Sequence, residues 1–188
     1  MFDNIKIGIA GAGGLGSNCA FNLIRSGFKH FKIFDFDKVE QSNLNRQFYF
    51  YNQIGMTKVN ALKENLLSIN PKADIYVQQI KITEDNIISL FNDCNVIIEA
   101  FDKTECKMLM INTFAKSDKL FVAASGMAGW GDFDKIRVKK LSNSFYIVGD
   151  FENEVTHDKP AMSPRVNIVA ALQADVVLKY YMDKAILS

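Results

Sequence analysis

Residues 11–16 read Gly-Ala-Gly-Gly-Leu-Gly and have the composition of a phosphate-binding loop. Such a loop between a strand and a helix lets the backbone turn tightly and brings a phosphate close to the amides of the helix N-terminus. Asp35 follows about 20 residues later, the spacing at which a carboxylate meets ribose hydroxyls. By itself the pattern indicates a nucleotide, with NAD or FAD as its usual ligands. The candidate residues are Gly11, Gly13, Gly14, Gly16 and Asp35.

A dense polar segment directly after Asp35 favours ATP over a dinucleotide. Residues 35–47 read Asp-Phe-Asp-Lys-Val-Glu-Gln-Ser-Asn-Leu-Asn-Arg-Gln, and a lysine follows at position 58. A planar guanidinium suits phosphate oxygens, and an ammonium adds a point charge. Together such donors can hold a triphosphate and stabilise the charge on departing pyrophosphate. The candidate phosphate-binding residues are Asn43, Arg46, Gln47 and Lys58.

Apolar periodicity predicts the elements that position these residues. The alternation of strands and helices is typical of an α/β fold with a Rossmann-like, doubly wound and mainly parallel sheet. After Ser125 the pattern changes to two antiparallel strands, a polar irregular segment and a closing helix that starts at Ser163-Pro164. The predicted strands are 5–10, 31–35, 75–80, 96–100, 120–124, 133–138 and 145–148; the predicted helices are 17–26, 59–69, 83–91 with Thr83 as cap, 104–115 and 163–182.

The bulk composition excludes several classes of protein. The 22 basic and 21 acidic side chains leave a net charge of +1, which gives no electrostatic reason to bind nucleic acid or an anionic membrane. No apolar run reaches the roughly 18–20 residues of a membrane helix, and the first residues do not have the pattern of a signal peptide. Three widely spaced cysteines argue against a secreted disulfide framework. We therefore expect a cytoplasmic protein with neither nucleic acid nor membrane as a partner.

Five motifs in order give the chain a specific resemblance. They resemble the successive motifs of the ThiF/MoeB/HesA family, the prokaryotic branch of the ubiquitin-like-protein-activating superfamily. The resemblance covers residues 5–125, and the closing helix also resembles the last helix of that family. The motifs are Gly11-Ala12-Gly13-Gly14-Leu15-Gly16-Ser17, Asp35-Phe36-Asp37, Ser42-Asn43-Leu44-Asn45-Arg46-Gln47, Gly55-Met56-Thr57-Lys58 and Ala100-Phe101-Asp102.

The resemblance implies an enzyme that uses ATP and Mg²⁺ to adenylate the C-terminal glycine carboxylate of a small β-grasp protein, releasing pyrophosphate. Arg46, Lys58 and Asp102 are then the expected catalytic residues. A hard cation prefers carboxylate oxygen, and Asp102 follows a predicted buried strand at the sheet edge where doubly wound folds place ligands. The alternative is that Asp102 caps the helix that begins near Thr104. Matched motif to motif, Asp35 holds the ribose, Asn43, Arg46 and Lys58 contact the phosphates, Gln47 supports the phosphate site, and Asp102 binds Mg²⁺.

Within the family the chain resembles most closely a short ThiF subgroup of ThiS adenylyltransferases in thiamine biosynthesis. That resemblance implies a homodimer and a ThiS-like sulfur carrier ending in Gly-Gly; a separate sulfur donor is expected because the loop 149–162 has no cysteine. No structural zinc is expected, because the sequence has no Cys-x-x-Cys pair. No covalent enzyme intermediate is expected either, because the loop 149–162 lacks a cysteine and Cys19, Cys94 and Cys106 have the sequence context of packed residues. His157, in the same loop, is expected to be solvated.

We expect one domain over 1–188, with nucleotide binding in 1–125 and the carrier-binding strands, crossover loop and last helix in 126–188. Glycines at 126, 129 and 131 are expected to leave room for an extended Gly-Gly tail.

Some larger relatives carry an arginine on an N-terminal helical segment that reaches into the partner subunit's ATP site. This chain starts almost at its first predicted strand, so we expect Arg46 and Lys58 to suffice or another basic residue to substitute. Two alternatives stay open. One is a non-catalytic member that binds nucleotide or carrier; the other is an NAD-dependent oxidoreductase, for which the sequence offers no convincing catalytic His, Tyr or Lys.

Overall fold

A computed structural model of the chain describes residues 2–153 and 155–186. Its strands form one seven-stranded sheet in the order β3-β2-β1-β4-β5-β7-β6. The strands are β1 (Lys6–Ala10), β2 (His30–Asp35), β3 (Asp74–Gln79), β4 (Val96–Glu99), β5 (Leu120–Ala124), β6 (Arg137–Lys140) and β7 (Phe145–Gly149). The helices are α1 (Gly14–Arg25), α2 (Lys58–Ile69), α3 (Ile87–Phe91), α4 (Thr104–Phe114) and α5 (Ser163–Ile186).

The sheet confirms the predicted Rossmann-like fold. Strands β1 to β5 and β7 are parallel to their neighbours, and only the β6–β7 pair is antiparallel. From β1 the chain builds outward to β2 and β3 on one side, then returns to β4 and β5 on the other. The strand order therefore reverses between β1 and β4, and a crevice at such a reversal is where open α/β sheets bind ligands. The glycine loop follows β1 and Asp102 follows β4.

Helices cover both faces of the sheet, as the nearly continuous apolar strands require. On one face α1, α2 and α5 bury a cluster that includes Leu23, Leu62 and Val169. On the other face α3 and α4 bury a second cluster, which contains five phenylalanines, including Phe91 and Phe114. None of the helices in the described part of the chain combines the length and apolar character needed to cross a bilayer.

Three predicted boundaries were wrong by four residues. Thr83 does not cap a helix with its side chain; its N–H donates to Asn86 Oδ1 (2.9 Å), and α3 begins only at Ile87. Residues 133–135 form a 3-10 turn, because the chain bends at Asp132 with φ = 44°, so the first antiparallel strand starts at Arg137. The closing helix continues four residues beyond position 182, to Ile186.

Candidate nucleotide-binding site

Two glycines of the loop are required by packing. Gly11 has φ = +96°, and a Cβ there would lie 3.0 Å from the carbonyl oxygen of Ala100 at the end of β4. A Cβ at Gly16 would lie 1.9 Å from the carbonyl oxygen of Gly11, a distance that no side chain can take. These two glycines let helix α1 start directly against strand β1 and the segment that follows β4.

Of the other two glycines, Gly14 also packs closely, against α5, and only Gly13 borders an open cradle at the start of α1. A Cβ at Gly13 would meet nothing closer than Gln47 Nε2, at 3.9 Å, and Gly13 has a negative φ of −77°. At Gly14 a Cβ would lie 2.9 Å from Val166 Cγ1, closer than real Cβ atoms come, so this glycine lets α5 pack against the start of α1. Among the described residues, no side chain caps the amides at this helix N-terminus. Uncapped amides at a helix N-terminus are a binding site for anions, including phosphate.

Asp35 is tied to the glycine loop at the end of β2. One carboxylate oxygen accepts the Ala12 N–H (2.7 Å) and the other accepts the Asp37 N–H (2.7 Å). Burial raises the pKa of Asp35, and the two backbone hydrogen bonds oppose that rise. An ionised carboxylate accepts about four hydrogen bonds, so both oxygens keep acceptor capacity for ribose hydroxyls.

Hydrogen bonds from α1 bring the polar segment over the glycine loop. Asn18 Nδ2 donates to the carbonyl oxygens of Gly14 (2.8 Å) and Arg46 (2.9 Å), and Ser17 Oγ accepts the Phe48 N–H (3.0 Å). As a result Arg46 Cγ lies 3.7 Å from the Cβ position of Gly14. The guanidinium of Arg46 is only partly occupied, because its Nη1 donates to Asn45 Oδ1 (2.7 Å) and to a backbone carbonyl.

Gln47 carries an unsatisfied polar atom in this site. Its side chain is 9% exposed, its Nε2 faces the cradle beside Gly13, and its Oε1 is buried with no hydrogen-bond partner among the described residues. A buried carbonyl oxygen without a donor costs free energy of the order of 1–3 kcal/mol. The atom that faces the cradle is Nε2, an amide donor, and a phosphate oxygen there would accept a hydrogen bond from it.

Lys58 and Asn43, the two other predicted phosphate-binding residues, make different local contacts. Lys58 is the first residue of α2, its side chain is 9% exposed, and its Nζ donates to Asp37 Oδ2 (2.8 Å). An ammonium has three donors, so this ion pair leaves Lys58 two for phosphate oxygens. Asn43 Oδ1 accepts the Glu40 N–H (3.0 Å) and stabilises a 3-10 turn. Only the Asn43 amide nitrogen therefore remains to meet a phosphate.

Asp102 is the one predicted residue that comes from the other side of the reversal point. It is exposed, and its carboxylate makes no hydrogen bond or ion pair with another described residue. It does not cap α4: Lys103 precedes that helix, and no side chain in the described part of the chain caps its N-terminus, so the capping alternative was wrong. Among the described residues no three His, Cys, Asp or Glu side chains gather as a metal site. Mg²⁺ commonly uses one carboxylate together with nucleotide phosphates and water, and a single free Asp102 fits that use.

The structure adds residues that sequence reasoning missed. Tyr49 is buried and its hydroxyl donates to the carbonyl oxygen of Ala12 in the glycine loop (2.6 Å); burial raises its pKa well above the usual value. Glu99, at the end of β4, is fully buried and pairs with Lys107 of α4 (3.0 Å). An acidic residue that ends an otherwise apolar strand was a signal for Glu99, whereas nothing local pointed to Tyr49.

A second buried ion pair organises the segment after β5. Arg165 of α5 donates to Asp150, which follows β7, and to the carbonyl oxygen of Gly131 (2.5 Å). Both side chains are at most 3% exposed. Hydrogen bonds from Asn153 and the charge of Arg165 outweigh the effect of burial and lower the pKa of Asp150. Arg165 lines a cavity of about 220 Å³ together with Gly129 and the exposed Trp130.

The cysteines and the loop histidine have the surroundings that the sequence predicted. Cys19 and Cys94 are buried, and burial raises the pKa of Cys94 to about 11, which keeps that thiol protonated. Cys106 is partly buried on α4. His157 is fully exposed and lies 3.4 Å from Asp158 Oδ1.

Comparison with known proteins agrees with this geometry. The ThiF family model matches residues 2–187. SUMO-activating enzyme subunit 2 of Dictyostelium discoideum is 34% identical over 145 residues, which is 74% of this chain and 22% of that protein. Adenylyltransferase and sulfurtransferase UBA4 of Candida glabrata is 27% identical over 183 residues, which is 94% of this chain and 42% of that protein. The chain thus spans between about a fifth and two fifths of the length of these curated relatives.

Solved structures share the fold over the whole chain. The E. coli tRNA N6-threonylcarbamoyladenosine dehydratase TcdA, in complex with ATP, superposes with a TM-score of 0.89 and is 23% identical. The superposition covers 100% of this chain and 89% of that one. E. coli MccB with ATP superposes with a TM-score of 0.73 at 21% identity, covering 95% of this chain and 56% of that one. At these identities the likeness establishes the shared fold.

Proposed function

The chain belongs to the ThiF family, and from that premise we propose that it is an ATP-dependent adenylyltransferase acting on the C-terminal carboxylate of a ubiquitin-like protein. The observation that carries this proposal is the convergence at the cradle: Arg46 and Gln47 lie over the uncapped N-terminus of α1, beside Asp35. A dinucleotide site needs only the glycine loop and a ribose-binding acid such as Asp35. The added guanidinium, the nearby ammonium of Lys58 and the free carboxylate of Asp102 are the groups that a triphosphate with Mg²⁺ requires.

The proposed reaction is transfer of AMP to the carboxylate. A carboxylate oxygen of the protein substrate attacks the α-phosphorus, the bond from that phosphorus to the bridging oxygen of the β-phosphate breaks, and pyrophosphate leaves with its electron pair. Arg46 and Lys58 stabilise the growing charge on the β- and γ-phosphates, and Asp35 holds the ribose. Asp102 would hold Mg²⁺, which neutralises phosphate charge when bound. No side chain needs to form a covalent bond in this step, because positioning and charge suffice.

The proposed route for the substrate tail lies beside the cavity at Gly129. A Cβ at Gly129 would have no neighbour within 4 Å in the described ranges 2–153 and 155–186, and we infer that an extended chain can pass there. Residues with no side chains, such as a Gly-Gly tail, fit a narrow path past Trp130 towards the carboxyl ends of β4 and β5. The cavity lies at that edge of the sheet because Ala128 and Asn153 follow the ends of β5 and β7.

A substitution at Gly129 tests this route. Gly129→Leu should weaken binding of the protein substrate at least about tenfold while ATP affinity stays within about twofold, since the added side chain fills the path but lies outside the cradle. Gly27→Leu is the matched control: Gly27 also has a positive φ (96°) and only ordinary contacts, at the far end of α1. Unchanged affinity of the Gly129 variant for the protein substrate would exclude the route.

We propose a ThiS-like sulfur carrier of thiamine biosynthesis as the substrate, with sulfur supplied by a separate donor and the enzyme acting as a homodimer. The support is the resemblance to short ThiF proteins. The described part of the loop 149–162 also places no cysteine near the cavity. An enzyme that transferred sulfur itself would need a nucleophilic thiol there.

ATP–pyrophosphate exchange with a purified ThiS-like carrier ending in Gly-Gly tests the function. We expect carrier-dependent exchange that Arg46→Ala and Asp102→Ala both abolish. The charge-matched controls, Arg25→Ala at the end of α1 and Asp118→Ala after α4, should retain it, because both residues are exposed and far from the carboxyl edge. A carrier with a C-terminal carboxamide should give no exchange. ATP binding without exchange would make the protein a binding module, and binding of NAD instead of ATP would refute the proposal.

A further inference from the structure

Strands β4 and β5 separate before they reach the carboxyl edge of the sheet. Their residue pairing is Val96–Leu120, Ile97–Phe121 and Ile98–Val122, and it stops there. Beyond it two side chains replace the backbone ladder. Glu99 Oε2 accepts the N–H of Ala124 (3.2 Å), and Lys107 Nζ donates to the carbonyl oxygen of the same residue (3.0 Å). The end of β5 is thereby held to the end of β4 through an ion pair.

The acidic member of this ion pair is fully buried, whereas the Lys107 side chain is 20% exposed. Glu99 is 0% exposed, and Lys107 Nζ lies 3.0 Å and 3.2 Å from its two oxygens. Gln173 of α5 also contacts this residue: its Nε2 donates to the backbone carbonyl oxygen of Glu99 (3.0 Å). Well-packed apolar side chains often replace a buried ion pair with no loss of stability. Stability alone therefore does not require the charges of Glu99 and Lys107, and the contacts that they make explain their presence better.

The ion pair fixes the backbone that leads to Asp102. Glu99 Oε1 accepts the Phe101 N–H (2.7 Å). On the other side the Ala100 N–H donates to the carbonyl oxygen of Ala10 (3.0 Å), and the glycine loop packs against both residues: a Cβ at Gly11 would lie 3.4 Å from Phe101 Cδ1. The segment before Asp102 is therefore held from two directions, whereas the Asp102 carboxylate itself is free.

We propose that Glu99 and Lys107 are positioning residues that set the Asp102 carboxylate for Mg²⁺ bound to ATP; this inference rests on the proposed function. Lys107 pairs with Glu99 and fixes its carboxylate, and that carboxylate accepts the N–H of Phe101. The position of this amide sets the direction in which the chain presents Asp102. Neither residue needs to touch the nucleotide. Groups that orient a metal ligand in this way typically change metal affinity by about 10- to 100-fold when they are removed.

The dissociation constant of ATP, measured by calorimetry with excess Mg²⁺ and again in EDTA, tests the proposal without relying on turnover. Lys107→Met should reduce the Mg²⁺-dependent gain in ATP affinity about tenfold, while affinity in EDTA stays within about twofold of wild type. Lys107→Arg, which keeps the charge, should recover most of the gain. Lys116→Met removes one lysine charge just beyond the other end of α4, where the side chain is exposed, and should leave both constants unchanged.

A second variant covers the case in which Lys107→Met does not fold. Glu99→Met combined with Lys107→Met removes both charges and the acceptor of the Phe101 N–H, so no buried charge is left unpaired, and it should lose the same Mg²⁺-dependent gain. A variant that folds and keeps the wild-type gain overturns the inference alone. Equal loss of affinity in Mg²⁺ and in EDTA also overturns it, because that is the result of general damage. Wild-type protein whose ATP affinity does not depend on Mg²⁺, or that binds no ATP, overturns both the inference and the proposed function.

Discussion

Gly13→Ala should separate ligand binding from folding. Gly16 is required by contact between α1 and β1, but Gly13 is not: its φ is negative and a Cβ there has 3.9 Å of clearance. Alanine also restricts the unfolded chain, an effect that stabilises a protein by about 0.4–1 kcal/mol where the native backbone accepts it. We therefore expect the free energy of unfolding of Gly13→Ala to lie within about 1 kcal/mol of wild type.

ATP affinity should nevertheless fall, because the added methyl group would occupy the cradle. A phosphate oxygen accepts from a backbone amide at about 2.7–2.9 Å, and a methyl group beside the amide prevents that approach. Losing one hydrogen bond to a charged group costs about 1.5–3 kcal/mol, which is a factor of about 10 to 150 in the dissociation constant. The magnitude is set by the number of amides that the phosphate loses.

Calorimetric titration with ATP and urea unfolding of the same preparations measure the two effects. Gly16→Ala is the opposite control, since its Cβ would lie 1.9 Å from the Gly11 carbonyl oxygen and should destabilise the fold by about 1–3 kcal/mol or more. Wild-type ATP affinity in a folded Gly13→Ala protein would refute the placement of the phosphates at this cradle. Loss of folding in that variant would refute the claim that the site is open.

Three further outcomes follow from buried groups and from one surface cluster. Arg165→Met should lower the free energy of unfolding by about 3–5 kcal/mol in urea titrations, because it leaves the Asp150 carboxylate without its buried partner; an effect below about 1 kcal/mol would contradict this. Tyr49→Phe removes the only described donor to the Ala12 carbonyl oxygen and should cost about 1–3 kcal/mol, measured in the same way, with a smaller loss pointing to a water in its place. Hydrogen bonds from Lys32 and Lys6 lower the pKa of Asp93 from 3.8 to about 2. The contribution of Asp93 to the free energy of unfolding is therefore complete above about pH 4 and is lost as the pH falls to about 2. Because Asp93 is half exposed, wild type should exceed Asp93→Asn by at most about 1 kcal/mol at pH 6, and the two unfolding curves should converge near pH 2.

The order of elements and the nucleotide loop were predictable because their signals are local. A glycine loop between a β-branched run and a helical run, followed by an acid after the next strand, needs only about 30 adjacent residues to specify it. The parallel sheet and its antiparallel C-terminal pair were likewise predicted from alternation and confirmed by the strand pairing. The start of α3 was not, because Asn86 rather than Thr83 closes that turn with its side chain.

The sequence by itself determined the α/β class, the position of the glycine loop and the family to which the chain belongs. Tertiary structure alone decided which polar groups become buried partners. Glu99 meets Lys107, and Asp150 meets Arg165, only after strands and helices from separate parts of the chain have packed. The cost of burying a charge depends on the partners that surround it in three dimensions, and spacing along the chain does not contain that information. For the same reason the sequence named Gly13 and Gly16 alike, whereas the packed structure assigns one to an open cradle and the other to a helix–strand contact.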